Sequence, residues 1–260
     1  MSQDPDRPAL PSSIELAWGL REHPRRGPKR GLSLDRIVAA GSTVATTEGL
    51  AGVSMGRVAS ELGVGTMSLY RYVSAKDDLL TLMVDAAIGA PPPAEHPEDD
   101  WRAGLTRWAV GVRAAYRRHL WALRVPIGGP PIGPNNVAWL EAALRTLGAT
   151  RLSETEKLST VLLLSSFVRS EVNLAADIAA ASGGAPRDFG YGTMLTVLTD
   201  VARFPALHRA IAAGAFNDDD DPDAYFNYGL GRILDGVGRL ATGSQREPPA
   251  RTAGGDAAGG

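Results

Sequence analysis

Between Gly63 and Val73 the chain reads GVGTMSLYRYV, and its side chains suit one kind of chemistry. Thr66, Met67, Ser68, Arg71 and Tyr72 gather short polar, basic and slender groups within one turn or two of a helix. Such groups can meet base edges and phosphate oxygens when a helix carries them into a groove of duplex DNA. Other chemistries find no matching constellation. His23, His96, His119 and His208 include no pair at metal-ligand spacing, and HExxH and GxSxG are both absent. Gly63-Val64-Gly65 and Gly229-Leu230-Gly231 lack the final glycine and the preceding strand of a dinucleotide fingerprint. Asn217 to Asp221 lacks the glycine and the alternation of a calcium loop. With no cysteine there is neither a disulfide nor a thiolate metal site. The expectation is no catalytic residue, no metal and no cofactor.

The groove-entering residues need two short helices to position them. MGRVASEL (55–62) is amphipathic, with Ser54 as its N-cap and Val53 and Val58 placed for a hydrophobic staple. It ends at Gly63, and a second short helix starts near Gly65 or Thr66. Leu69 and Val73, four residues apart, turn inward, which leaves the polar set on or near the outward face. A turn of this length containing glycine is the helix-turn-helix pattern. Ser74-Ala75-Lys76-Asp77 reads as a capping-box variant opening the next helix, which runs to about Gly89 and is broken by the prolines after it.

From Leu34 to Leu80 these residues resemble the TetR family of transcriptional repressors, notably in VSMGRVASELGVGTMSLYRYVSAKDDLL. The resemblance implies that Arg57, Tyr70 and Lys76 hold phosphates and that Thr66, Met67, Ser68, Arg71 and Tyr72 form the base-facing side. With Arg30, Ser54, Met55 and Gly65, these make the expected DNA-contacting set. Gly56 departs from the pattern, because some relatives carry a long base-reading side chain there. The resemblance further implies that the helix after Lys76 links a DNA-binding unit to a regulatory body.

Charge is segregated accordingly. Residues 25–76 carry eight Arg or Lys against three acids, although the whole chain has a net charge of −2. A basic module on an acidic body assigns nucleic acid to the module. Residues 1–30 are polar and Pro-rich and read as disordered, with a transient helical turn at 14–20. Their end, HPRRGPKRG, is either a solvated tail or an arm laid along phosphates, and its place directly before the first helix favours the arm.

The remaining chain reads as helix throughout. Helices are expected at 34–47, capped by Ser33; at 101–118; from Asn135 or Asn136 to 147; at 153–181, opened by a Ser153–Glu156 capping box; at 191–213, bent at Pro205; and at 222–240. Residues 243–260 read as a disordered tail. The fold expected is all-α: an arm (1–30), a three-helix helix-turn-helix domain (31–76), and a helical ligand-binding and dimerisation domain (77–242). No apolar run is long enough to span a bilayer and no secretory signal is visible, so the cytoplasm is expected.

Trp108, Tyr116, Trp121, Trp139, Phe167 and Arg169 fall in the middle helices. Singly each reads as core; together they suit the lining of a cavity between helices. Prolines at 91–93 stand where the tetracycline repressor carries histidines, which argues against tetracycline bound through magnesium. Leu162, Val168 and Val172 on one helix and Phe226, Ile233 and Val237 on the last form apolar stripes for a homodimer seam, with Gly229, Gly236 and Gly238 allowing close approach. The function expected is a one-component regulator, a repressor released from a palindromic operator by a small-molecule inducer. A constitutive DNA-binding protein and a helical enzyme are the other readings.

Overall fold

Every regular element among the described residues is helical, as periodicity predicted. The computed structural model describes residues 10–20, 32–93, 100–181, 190–216 and 223–241. The first element is a short helix α1, Ser12–Ala17, within the segment read as disordered. Its physical basis is burial: Ile14 and Leu16 enter the N-terminal core, and the indole N–H of Trp18 donates to the Ile132 carbonyl at 2.8 Å. Only tertiary packing makes so short a helix stable. Most of the expected arm, including Arg30, lies outside the described residues, as do the tail and the 218–221 acidic loop.

The N-terminal unit follows its local signals. Helix α2, Leu34–Glu48, begins where the Ser33 hydroxyl accepts from the Arg36 amide, and it buries Ile37, Val38, Gly41, Val44 and Ala45. Helix α3, Met55–Leu62, is capped by Ser54, whose hydroxyl accepts from the Arg57 amide at 3.1 Å. Val53 and Val58 are fully buried, as a staple requires. Gly63 ends α3 in the left-handed region at φ 66° and ψ 32°, and the Val64 amide reaches back to the Ala59 carbonyl at 3.0 Å. That conformation is open to glycine at little steric cost. Helix α4 is a single turn, Thr66–Leu69.

Helix α5, Lys76–Ile88, starts at Ala75 with no side-chain cap, so the capping box expected from Ser74 does not form. Its buried residues from Leu79 to Ala87 pack into the N-terminal core, and Ile88 joins the second core. α5 therefore spans the seam between the two units.

The second core is built by α6 (Trp101–Arg118), α7 (Pro134–Thr146), α8 (Glu154–Ala181) and α11 (Ala224–Ala241). After α6 the chain tightens into a 3₁₀ turn, Leu120–Arg124. α8 opens with the expected capping box: the Glu156 amide donates to the Ser153 hydroxyl at 3.3 Å, and the Ser153 amide donates back to the Glu156 carboxylate at 2.8 Å. The expected bent helix is two helices, α9 (Tyr191–Leu198) and α10 (Pro205–Ala212), because Pro205 can begin a helix but not continue one. No residue of α9 or α10 is buried.

Neither asparagine caps α7. The cap comes from Asp85 on α5, a buried carboxylate. Its Oδ1 accepts from the Asn136 amide at 2.8 Å and its Oδ2 from the Asn135 amide at 3.2 Å, while both asparagine side chains also donate to it. A carboxylate at a helix N-terminus satisfies orphan amides and meets the positive end of the dipole.

Candidate DNA-reading surface and regulatory body

The turn after α4 decides which side chains face outward. Leu69 and Val73 are fully buried, and the Tyr72 and Val73 amides both donate to the Leu69 carbonyl. Rotation about that anchor leaves Met67 78% exposed, Tyr70 45% exposed and Arg71 exposed, with Thr66 and Ser68 half-exposed. Lys76 stands exposed at the start of α5, and Gly65 is exposed at the N-terminus of α4. Ser54 is exposed while its hydroxyl caps α3. The exposed residues from α4 to the start of α5 thus include two cations, Arg71 and Lys76.

Three members of the expected set are placed otherwise. Tyr72 is 6% exposed, and its hydroxyl donates to the Leu32 carbonyl at 2.7 Å. It fixes the start of α2 from inside and presents nothing to a base. Met55 is buried in the N-terminal core, because the first position of α3 faces α2. Arg57 lies between two carboxylates, at 2.6 Å from Glu48 and 2.9 Å from Glu61. The hydrogen bonds it donates to Glu48 and then Glu61 raise its pKa above the usual arginine value. Its charge is balanced within the unit and holds the α2–α3 connection, so a phosphate would have to compete for it.

The body differs more from expectation. Trp108 and Trp139 are core residues in edge contact, with ring centroids 6.1 Å apart. The Trp108 indole donates to the Trp139 carbonyl and the Trp139 indole to the Gly89 carbonyl, each at 2.8 Å. A Cβ on Gly111 would stand 2.7 Å from the Trp139 ring, so glycine there makes room for it. Trp121 belongs to the other core, beside α1 and α5. Phe167 stacks on Phe226 with centroids 5.8 Å apart. Three of the six expected pocket residues, Trp108, Trp121 and Trp139, therefore fill the interior, and Phe167 is partly buried against the second core. Tyr116 and Arg169 are also partly accessible and lie together: the Arg169 guanidinium lies 5.7 Å from the Tyr116 ring centroid, and it donates to the Leu123 carbonyl at 3.0 Å. Beside them is an open groove of about 540 Å³ lined by Leu123, Arg124, Ser166, Arg169, Ser170 and Asn173.

The body also holds an ionic core that periodicity did not reveal. Arg113, buried on α6, makes two bonds of 2.7 and 2.9 Å to the buried Glu171 and one of 2.6 Å to Asp223. The Phe226 ring lies 4.1 Å beneath its guanidinium. A bidentate pair of this geometry is the strong form of charge-assisted bonding. The sequence clue was an Arg and a Glu at positions where α6 and α8 would otherwise be apolar.

The dimer stripes are also rotated. Val168, Val172, Phe226 and Val237 are buried within the monomer, and Ile233 is half-buried. Leu162 is 59% exposed, with Leu158 and Leu163 exposed beside it; on α11 the exposed residues are Tyr225, Tyr228 and Leu240. Gly229 faces Phe167 and Gly238 faces Trp101 inside the same chain, whereas a Cβ on Gly236 would meet open space.

Two family models cover most of the chain. Residues 37–83 match the bacterial regulatory proteins of the tetR family, and residues 92–240 match the tetracyclin repressor-like C-terminal domain. The transcriptional repressor DrrR1 of Streptomyces coeruleorubidus is 38% identical over 244 residues, spanning 86% of this chain and 84% of that one. The repressor Rv1353c of Mycobacterium tuberculosis is 28% identical over 90% of this chain and 89% of its own. Among solved structures, the TetR family protein ActR of Streptomyces coelicolor in complex with actinorhodin is similar with a TM-score of 0.70 and 26% identity, covering 82% of this chain and all of that one. Among the described residues, no group of ligating side chains could hold a metal, and no helix is long and apolar enough to cross a membrane.

Proposed function

The chain belongs to the TetR family of DNA-binding transcriptional regulators, and from that premise we propose that it acts as a homodimeric repressor released from a palindromic operator by a small molecule. The observation that carries this reading is the surface around α4. Arg71, Tyr70 and Met67 project from a turn whose Leu69, Tyr72 and Val73 are locked into the core. Arg71 reads bases, Lys76 holds a phosphate, and Thr66 and Ser68 fit against the backbone. The limits 31–76 and 77–242 serve as DNA-binding and regulatory units, with α5 shared between them.

A single helix-turn-helix reads few base pairs, so two copies pair on half-sites about one turn apart. Release requires a ligand that binds the DNA-incompetent state more tightly; equal affinity for both states shifts nothing. The complex of ActR with actinorhodin supports release by a small-molecule ligand. The groove beside Arg169 and Tyr116 offers such a ligand a cation and hydroxyl groups. As a regulator of genes the protein works in the cytoplasm, without catalysis or a cofactor.

The test is enrichment of bound duplexes from a random DNA library. A two-fold symmetric consensus, lost with Arg71→Ala, is the expected result. Absence of any enriched sequence sinks the reading. Actinorhodin titrated into the enriched complex then reports on release, and an Arg169→Ala variant that responds unchanged removes the groove from the proposal.

A further inference from the structure

A second cavity lies on another side of the molecule, where α2, α5, the end of α6 and the start of α7 meet. Its volume is about 370 Å³, within the range of small-molecule sites. Val38 and Leu82 supply apolar wall, while Asp35 and Asp85 bring two carboxylates. Among the described residues, no lysine or arginine lines it. Asp35 is exposed and has no ion pair among the described residues. His119 also lines it, and the Nδ1 atom of that ring is buried with no hydrogen-bond partner among the described residues. A buried polar atom left without a partner is uncommon and calls for an explanation.

We propose that this cleft is a small-molecule site for an amine-bearing ligand, its ammonium group against the exposed Asp35 carboxylate and its apolar body against Val38 and Leu82, while the buried Asp85, both oxygens engaged in capping α7, adds only its charge from behind the wall. His119 lines the cleft beside them. Burial, and then the charge of Arg118, hold its pKa below the ordinary histidine value, so near neutral pH the ring adds no cation to repel the ligand. The walls come from both units: α2 belongs to the DNA-reading unit, and His119 and α7 belong to the body. An occupant bridges the two, so it alters how α5 carries a change in the body to α2. That regulatory consequence rests on the function proposed above; the binding does not.

The experiment uses the full chain with isotope-labelled histidine and three probes of similar shape: phenethylamine, 3-phenylpropan-1-ol and 3-phenylpropionate. The His119 resonance is assigned with a His119→Gln variant. Phenethylamine alone should shift it saturably. Asp35→Asn should weaken that binding about fivefold, the effect of one exposed charge. Ala39→Phe and Ala86→Phe, each at an exposed helical position lining the cleft, should abolish the shift without altering thermal unfolding. An equal response to all three probes overturns the proposal, as does a response that survives in both filled variants. Normal operator binding with no saturable shift removes the site alone. A saturable shift in a chain that binds no duplex leaves the site standing and removes the regulatory function.

Discussion

Asp85 Oδ1 accepts the backbone amide of Asn136 at 2.8 Å, so a carboxylate on α5 serves as the N-cap of α7. The pair ties the helix that spans the seam to the helix that follows the 125–133 loop. Asp85→Ala leaves the first amides of α7 without partners and should destabilise the chain by about 2–3 kcal/mol, read as a lower urea midpoint. Gly133→Ala should do comparable harm, since its Cβ would stand 2.2 Å from the same Asp85 oxygen. A chain that tolerates both changes has no such tie.

Tyr72 and Arg71 are adjacent and should behave as opposites. Tyr72→Phe loses the bond to Leu32 and should lower stability by about 0.5–1.5 kcal/mol while leaving base preference unchanged. Arg71→Ala should leave stability within about 0.5 kcal/mol and relax base preference by about 1–3 kcal/mol at one position, if its contact is bidentate. Lys76→Ala should weaken binding to all sequences alike and reduce the salt slope by about 0.9. Binding measured across a mutated operator set separates the three.

The same neighbours show what the sequence could convey. Ser33, Ser54, Gly63 and the Ser153–Glu156 box are local devices acting within a few residues, and each forms as expected. Helix existence was legible for the same reason. Tyr72 was misplaced because α4 is one turn long, and the chain beyond it no longer follows a helical wheel. The face of α8 was misread because Lys157, Thr160 and Glu171 are buried, while Leu158, Leu162 and Leu163 are exposed. A binary apolar pattern rotates the helix the wrong way whenever polar groups find partners inside, as Glu171 does with Arg113. Asp85 and Trp18 act across 51 and 114 residues, and no spacing rule reaches that far.

Arg113→Met should destabilise the body by about 3–5 kcal/mol, because Glu171 would keep a buried charge without its partner. The double change Arg113→Met with Glu171→Leu should recover most of that loss, since apolar groups of similar volume replace such pairs at little cost. Unfolding of the single and double variants by urea provides the comparison. A double variant no better than the single one would place the energy in Asp223 or the Phe226 contact instead.

Stability should fall in two steps on acidification. Burial, and then the Arg118 charge, put the folded pKa of His119 below its ordinary 6.5. The unfolded chain therefore takes up that proton first, and the His119 contribution is complete above 6.5 and lost as pH falls through the folded value. Glu156, held down by the Ser153 amide and hydroxyl, and Asp223, held down by the Arg113 hydrogen bond, have folded values below 4.5 and 3.8 respectively. Their contribution is complete above those values and lost below them. Urea midpoints measured from neutral to acidic pH should show both slopes. His119→Phe should flatten only the first, and Ser153→Ala only the second.

Dimerisation tests the rotated faces directly. The outward side of α8 carries Leu158, Leu162 and Leu163, and the outward side of α11 carries Tyr225, Tyr228 and Leu240 around Gly236. Exposed apolar groups on two adjacent long helices are what a two-fold seam of four helices buries. Leu162→Glu should therefore give a folded monomer by analytical ultracentrifugation that no longer binds a full palindrome. Val168→Glu should instead unfold the body, because Val168 lies wholly inside the monomer. Ile233→Glu, half-buried between the two situations, should do some of each. A Leu162→Glu chain that remains dimeric, with undiminished operator affinity, would move the seam off α8 altogether. The exposed Val197 and Leu198 at the end of α9, with Val201 just after it, would then be the next apolar surface to examine by the same substitution.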